Sequence, residues 1–500
     1  MQVARTAPLD SLNQFRRVQN LAQTDKLFLL VLGILNVLID GLVALHRKAP
    51  ATQGIRESSS KPHHLLLQTD PGWHRHEPLP LRGSLPSSKR KLTEATSKHF
   101  QMTVTVNSPQ PDKQWSLSRD VTYLNHGSFG PSPKPVREAF AAWTDRLEQN
   151  PMGFFLHECE EALEDSLQKL AGFVGTSRGN LIFVDNATFA MNIAAASVEL
   201  EPGDEVLLND HEYGAVRRIW RHRCQQTGAR LVVAELPASL KSEEDIVERL
   251  FESVSEKTKV IVVSHVTSQT ALIFPVEAIC RRARERRILT CVDGPHALAT
   301  VDVSLRKLDC DFYCASCHKW LCAPFGSGFL FVNPRRQSKV KPALVSWGGS
   351  IAGRQPSWKD ESLWLGTRNP AAFLATAAAV DFFQPEMIAQ FREHSRRLLD
   401  DAAKQIAALT GLPVIEGGEG SRCPSMICLP LPKTDEHSDQ SPTEPARRDP
   451  LQDQLRDGYG IEIPVVHWQG HHLLRISAHL YNTADEYERL VAALREELNL

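Results

Sequence analysis

The stretch Asp311-Phe-Tyr-Cys-Ala-Ser-Cys-His-Lys319-Trp-Leu-Cys-Ala-Pro-Phe-Gly-Ser-Gly328 decides how the chain is read. An apolar, strand-like run at 312–315 gives way to a lysine and a glycine-bearing turn, which leads into a second apolar run at 328–332. A lysine at a strand end faces a cleft. Its amine can form an imine with a carbonyl cofactor, provided burial or neighbouring charge lowers its pKa. Ser316 and His318 place a hydroxyl and a ring N–H beside it, both suited to a phosphate. A loop lysine taken alone is a surface residue; what surrounds this one argues otherwise.

Two further strand ends carry matching chemistry. In Ile288-Leu-Thr-Cys-Val-Asp293-Gly-Pro-His296 an acid closes a buried apolar run and a histidine follows three residues later. A carboxylate there can pair with a protonated pyridine nitrogen, and His296 can hydrogen-bond a phenolic oxygen. The competing reading makes Asp293 a helix cap and His296 a satisfied core histidine. In Phe183-Val-Asp-Asn186-Ala187-Thr188-Phe-Ala-Met-Asn192 a strand turns into a helix whose first turn holds Thr188, a natural anion cradle and equally an ordinary N-cap. The chain holds neither a Walker-type loop nor GxGxxG, so nucleotide binding is disfavoured.

Apolar runs at 181–184, 205–208, 230–233, 260–263, 289–292, 312–315 and 328–332 alternate with helical patterns at 188–199, 243–254 and 275–286. Strands separated by helices predict a mainly parallel seven-stranded sheet covered on both faces, with chemistry gathered beyond the carboxyl ends of its strands. A long Ala-rich helix over 370–383 and a mixed α/β tail then suggest a smaller C-terminal domain. The stretch 433–449 reads as a surface insertion.

The 500 residues suffice for sizeable cores. Residues 1–101 carry 14 Lys+Arg against 7 Asp+Glu, which leaves 43 against 52 for 102–500, so the main body is acidic and no nucleic-acid partner is indicated. Residues 27–45, LFLLVLGILNVLIDGLVAL, approach the length of a membrane span, although Asn36 and Asp40 weaken it, and 46–101 has the composition of disorder. Arg16 and Arg17 invite an export reading without a clean cleavage site, and Met102 would make a natural start for a soluble protein with a leader upstream. All ten cysteines lie at or after Cys159 and only Cys314 and Cys317 form a CxxC, which reads as reduced thiols in a cytoplasmic location, with no metal site expected.

Taken together, Asn186-Ala-Thr188, Asp293-Gly-Pro-His296 and Ser316-Cys-His-Lys319 resemble the class V aminotransferase family, enzymes of pyridoxal 5'-phosphate (PLP), over roughly residues 120–495. The resemblance implies an α/β fold, the PLP-dependent transferase fold of fold type I. It sets out an N-terminal segment 102–140 that joins the small domain, a large PLP-binding domain 141–369 and a small domain 370–500. It implies Lys319 as the Schiff-base lysine and proton shuttle, Asp293 on the pyridine nitrogen, His296 on the phenolic oxygen, and Ala187, Thr188, Ser316 and His318 around the phosphate. Thr367, in Trp364-Leu-Gly-Thr367-Arg-Asn, resembles a threonine that reaches the phosphate of a neighbouring subunit, which implies a homodimer. Asp210-His-Glu-Tyr213 resembles the segment that lays a plate over the cofactor ring, with Tyr213 expected and His211 its competitor. Arg475, in Leu473-Leu-Arg475-Ile-Ser, resembles the arginine that clamps a substrate α-carboxylate; the alternative is a structural ion pair.

Tyr123-Leu-Asn-His-Gly-Ser-Phe-Gly130, Ser264-His-Val-Thr-Ser268 and Ile461-Glu-Ile-Pro-Val-Val-His-Trp468 resemble the isopenicillin N epimerase-like branch, which puts Asn125 and His126 at the substrate and makes epimerisation at Cα of an amino-acid-type substrate the leading expectation. A cysteine desulfurase would carry a cysteine shortly before the carboxylate arginine, and 431–474 has none. An aminotransferase or C–S lyase needs no such cysteine. Outside enzymes, a membrane-tethered binding protein is the competitor, and an intact Lys319, Asp293 and Thr188 argue against it.

Overall fold

Alternation along the apolar runs sorts their side chains onto two faces of one sheet. Phe183, Leu207, Ile261, Val263, Val292, Tyr313 and Phe329 enter one hydrophobic core, whereas Ile182, Val184, Val206, Leu208, Val260, Val262, Cys291, Phe312 and Cys314 enter a second. Period-two geometry sends neighbours to opposite sides, so runs that are apolar throughout must be buried on both.

The computed structural model describes residues 111–237, 240–363, 365–415, 417–418, 420–432 and 449–500. Its strands are β1 (Thr122–Tyr123), β2 (Leu181–Val184), β3 (Glu205–Asn209), β4 (Arg230–Ala234), β5 (Thr258–Ser264), β6 (Leu289–Asp293), β7 (Phe312–Ser316), β8 (Gly328–Val332), β9 (Met426–Pro430), β10 (Ile461–Glu462), β11 (Val465–Trp468) and β12 (His471–Ser477). The large sheet runs β2-β8-β7-β6-β5-β3-β4. All of its strands are parallel except β8, which is antiparallel to both β2 and β7. Each of the seven expected runs lies in one of these strands. The expected leader, membrane span and disordered stretch in 1–101 lie outside the described residues, and among the described residues no helix is long and apolar enough to cross a membrane.

A three-stranded antiparallel sheet, β11-β12-β9, forms towards the C-terminus. Helices Pro385–Thr410 and Ala484–Glu497 contribute Leu399, Ile406, Leu490 and Leu494 to a third core with Ile427, Leu429, Leu474 and Ile476 of its strands. β1 pairs in parallel with β10, tying the start of the described chain to this region.

Two expectations need correction. The helix read over 370–383 is broken into Ala371–Leu374 and Thr376–Phe382. The buried Ser166 hydroxyl donates to the Phe373 carbonyl at 2.8 Å, diverting an acceptor that a continuous helix would use. The insertion read as ending at residue 449 also ends too late. Asp449 is buried and caps helix Pro450–Tyr459, accepting from Leu451 N at 2.9 Å, whereas 433–448 lies outside the described residues.

Candidate active site

Because β2, β3, β5, β6 and β7 share one direction, their carboxyl ends meet at one edge of the sheet. A cavity of about 2320 Å³ opens there, and Ala187, Thr188, Tyr213, Asp293, His296, Ser316, His318, Lys319 and Arg475 all line it. Residues separated by up to 288 positions in sequence thus converge on one space, as the strand-end pattern predicts.

At the end of β2 the Asn186 side chain accepts from Phe189 N at 2.9 Å and starts helix Ala187–Ser197. Its first turn has N–H groups without intrahelical partners, next to the positive end of the dipole. Ser316 Oγ, at the end of β7, accepts from Ala187 N at 2.9 Å, which leaves its own proton to donate. His318 Nδ1–H donates to the Ser327 carbonyl at 3.1 Å, fixing the ring at the cavity wall. Gly130 makes the Lys319 turn possible from the other side: its N–H donates to the His318 carbonyl at 3.2 Å, and a Cβ there would overlap the Lys319 carbonyl oxygen.

The Lys319 amine is 3.0 Å from His296 Nε2, and Trp320 Nε1–H donates to His296 Nδ1 at 3.2 Å. Burial, reinforced by the Arg475 guanidinium, brings the Lys319 amine down from 10.5 to about 7, within reach of the neutral nucleophile. Burial holds His296 well below the ordinary histidine range, so this ring is neutral. Asp293 is also buried, and burial raises its carboxyl above the ordinary range while Lys319 opposes the shift. A cationic ring nitrogen placed at Asp293 would restore the carboxylate.

Arg475 is 5% exposed, and among the described residues it makes no ion pair with a carboxylate. Its Nη1 donates to the Ser268 carbonyl at 2.7 Å and to Ser268 Oγ at 3.1 Å, and its Nη2 donates to Ser128 Oγ at 2.6 Å. Its Nε is buried without a partner. An uncompensated buried guanidinium costs several kcal/mol, roughly, so this arrangement fits an anion brought in by a ligand. Among the described residues, the structural ion pair weighed from sequence is not formed.

Tyr213 is exposed at the cavity, whereas His211 is fully buried, with Nδ1 2.7 Å from Thr270 Oγ1 and its ring against Trp468. Three expected residues do not line the cavity. His126 is packed behind the lysine turn, accepting from Tyr481 Oη at 2.9 Å and donating from Nε2 to the Lys319 carbonyl at 3.2 Å, so it braces Lys319 rather than meeting a substrate. Asn125 lies one residue before it in the same turn, and the neighbours that reach the cavity are Gly127, Ser128 and Phe129. Thr367 is exposed and does not line it, beside Arg368, whose Nη1 donates to both Asp185 carboxylate oxygens at 2.9 Å.

Sequence reasoning missed four residues. Ser128 and Ser268 hold Arg475, and both stood inside stretches already singled out. Trp320, next to the lysine, sets the proton on His296. Glu212 is wholly buried, accepting from Ser264 N at 2.8 Å, Ser264 Oγ at 2.7 Å and Asn209 Nδ2 at 2.7 Å. Burial pushes its carboxyl up to about 8. Its only signal in sequence was an acid next to Tyr213 at a strand end.

A sequence profile of the family "Aminotransferase class-V" matches residues 123–490. An isopenicillin N epimerase of Amycolatopsis lactamdurans is 33% identical, covering 77% of this chain and 97% of that protein. Among solved structures, the cysteine desulfurase CsdA from Escherichia coli superposes with a TM-score of 0.62 at 23% identity, over 79% of this chain and 99% of that one. A mutant of C-DES with glycine covalently linked to its PLP cofactor gives a TM-score of 0.63 at 18% identity, over 75% and 96% of the two chains.

Proposed function

The chain belongs to the class V aminotransferase family and is a PLP-dependent enzyme, and from that premise we propose that it inverts the configuration at Cα of an amino-acid-type substrate, as an isopenicillin N epimerase-like enzyme. The observation that carries this reading is Arg475, a buried guanidinium without a carboxylate partner among the described residues, in the same cavity as the Lys319 amine. An α-carboxylate held by Arg475 fixes a substrate beside Lys319 through a planar two-donor clamp.

The residues fit the cofactor. The helix start at Ala187 and Thr188, with Ser316 and His318, would hold its phosphate; Asp293 would pair with its ring nitrogen; His296 would meet its phenolic oxygen, and Tyr213 would cover its ring. Bound PLP supplies an electron sink that acidifies Cα. Lys319 Nζ, its pKa lowered by burial to about 7, can take the Cα proton on its own face of the substrate, and inversion is completed by a proton delivered from a second acid on the opposite face. His296, held well below the ordinary histidine range by burial, orients by hydrogen bonding without adding charge.

Thiol chemistry is disfavoured as the main reaction. All ten cysteines are buried and free. Cys428, the cross-strand neighbour of Arg475, donates to the Gln269 carbonyl at 2.8 Å, and burial pushes its thiol up to about 12, far from a reactive thiolate. Ten free thiols also support a reducing, cytoplasmic location. A homodimer is part of the proposal: Leu344, Val345 and Trp347 are exposed apolar side chains on one loop, and Thr367 is exposed without lining its own chain's cavity.

The test is a panel of L- and D-amino acids and small peptides in deuterated water. Expected is Cα deuteration with loss of optical purity and no stoichiometric sulfide or keto acid. Sulfide or keto acid formed from a substrate that stays enantiopure would replace the epimerase reading with a lyase or an aminotransferase.

A further inference from the structure

On the small-sheet side of the cavity, two histidines and an aspartate converge with no part in the chemistry above. His467 of β11 and His472 of β12 are directly opposed across the strand pair, so their side chains leave the same face. Their rings stack at 5.0 Å and 10°, and both residues line the cavity. Asp449 Oδ2 is 2.6 Å from His467 Nε2 and 3.1 Å from His472 Nε2. The ligand atoms of all three residues lie within 4.8 Å of one another.

Two polar atoms of this group already have partners outside it. Asp449 Oδ1 accepts from Leu451 N at 2.9 Å, and Oδ2 lies towards the histidines. The His472 Nδ1 stands 3.0 Å from the Pro432 carbonyl, and since a carbonyl only accepts, the ring proton sits on Nδ1. The Nε2 of His472 is the nitrogen turned towards Asp449. It is buried, has no hydrogen-bond partner, and stands 3.1 Å from a carboxylate oxygen. A carboxylate oxygen and an imidazole nitrogen at that separation are held by a proton or by a metal ion between them. An imidazole held by a backbone carbonyl at one nitrogen and bare at the other is the arrangement of a metal ligand.

We propose that Asp449, His467 and His472 form a binding site for a divalent transition metal ion of the zinc class, with its open coordination position towards the cavity. Two imidazoles and one carboxylate suit zinc, cobalt or nickel and disfavour calcium or magnesium, which take oxygen ligands. Rotation of the two side chains closes the rings onto a metal at ~2.1 Å from each nitrogen. His467 is 18% exposed, which gives the ion an entry path and leaves room for water or a donor atom of the substrate. The site depends on no step of the proposed reaction and would stand if that reaction were reassigned.

The full chain, loaded with PLP, is stripped with a chelator, desalted and titrated with zinc sulfate by calorimetry, with bound metal counted by mass spectrometry. His467→Gln, His472→Gln and Cys322→Ser are measured alongside, the last because His126, Cys322 and His479 form a second, fully buried set of possible ligand atoms. Circular dichroism and the cofactor absorbance verify folding; the partly exposed His467 variant carries the test if the His472 variant fails to fold. Expected is one zinc per wild-type chain, with affinity reduced in the His467 variant by more than the ~10–100-fold that loss of an outer partner costs, and unchanged in Cys322→Ser. No zinc on the stripped wild type, unchanged affinity in His467→Gln, or loss confined to Cys322→Ser would overturn the site.

Discussion

The Trp320 indole N–H donates to Nδ1 of His296 at 3.2 Å. That bond leaves Nε2 as the only place for the ring proton, and Nε2 is 3.0 Å from the Lys319 amine. An ammonium at Lys319 would then face an N–H donor, while a neutral amine accepts from it. The tryptophan one residue after the lysine thus favours the reactive form of that lysine through the histidine between them. Trp320→Phe keeps the buried ring and removes the donor. Its expected outcome is a raised apparent pKa for the Lys319-linked cofactor absorbance and a fall in kcat of ~10-fold or more, within the range of a general acid–base contribution, with KM little changed. Superimposable pH titrations of wild type and variant would remove this role.

Lys319 itself has a pH signature. Its amine is lowered by burial to about 7, so the neutral fraction grows as pH rises through that value rather than through 10.5. Cofactor reattachment to the apoenzyme should accelerate with pH and level off above about 7. Stopped-flow absorbance measures this. Lys319→Ala should yield no borohydride-fixed adduct, and a rate still climbing steeply above pH 9, roughly, would mean an ordinary exposed lysine.

Arg475 should show opposite effects on stability and on activity. Arg475→Leu removes a buried charge without a protein counter-ion, so the ligand-free variant should melt above the wild type. Its kcat/KM should fall at least ~100-fold, since the substrate carboxylate loses a two-donor partner. Arg475→Lys should recover little, because an ammonium cannot reproduce the fork that Ser128 and Ser268 hold. Melting curves and steady-state kinetics on the same preparations decide both points.

Glu212 predicts a slope in the stability profile. Its folded-state pKa is raised by burial to about 8 from 4.5, so between those values the folded chain binds more protons than the unfolded one. Stability contributed by the neutral carboxyl is complete below 4.5 and is lost as pH rises through about 8. Denaturant unfolding of Glu212→Gln against wild type should therefore diverge across that window, by up to ~1.4 kcal/mol per pH unit for one proton. Parallel profiles would mean that Glu212 is ionised in the folded protein.

The sheet was legible because parallel strands buried on both faces read as short apolar runs, and because their reactive residues sit where those runs stop. Lys319, Asp293, His296, Ser316 and Thr188 are all of that kind, and one cavity gathers them. What stayed hidden depends on partners distant in sequence. The break in the helix at 370–383 comes from Ser166, about 200 residues upstream. His126 and Ser128 belong to one turn, and only the packing of Tyr481 and Lys319 around His126 decides which of them faces the cavity. That Arg475 lacks a carboxylate partner among the described residues is a property of everything around it and of no motif.

The burial of every native cysteine makes the folded enzyme a silent background for thiol labelling. Mild maleimide treatment of the intact protein should leave it unmarked. A single cysteine placed at Tyr213 or Trp347 then becomes the one reactive handle, at the cavity wall or on the exposed apolar loop. A fluorophore on either would report ligand entry or the proposed subunit association without any native cysteine having to be removed.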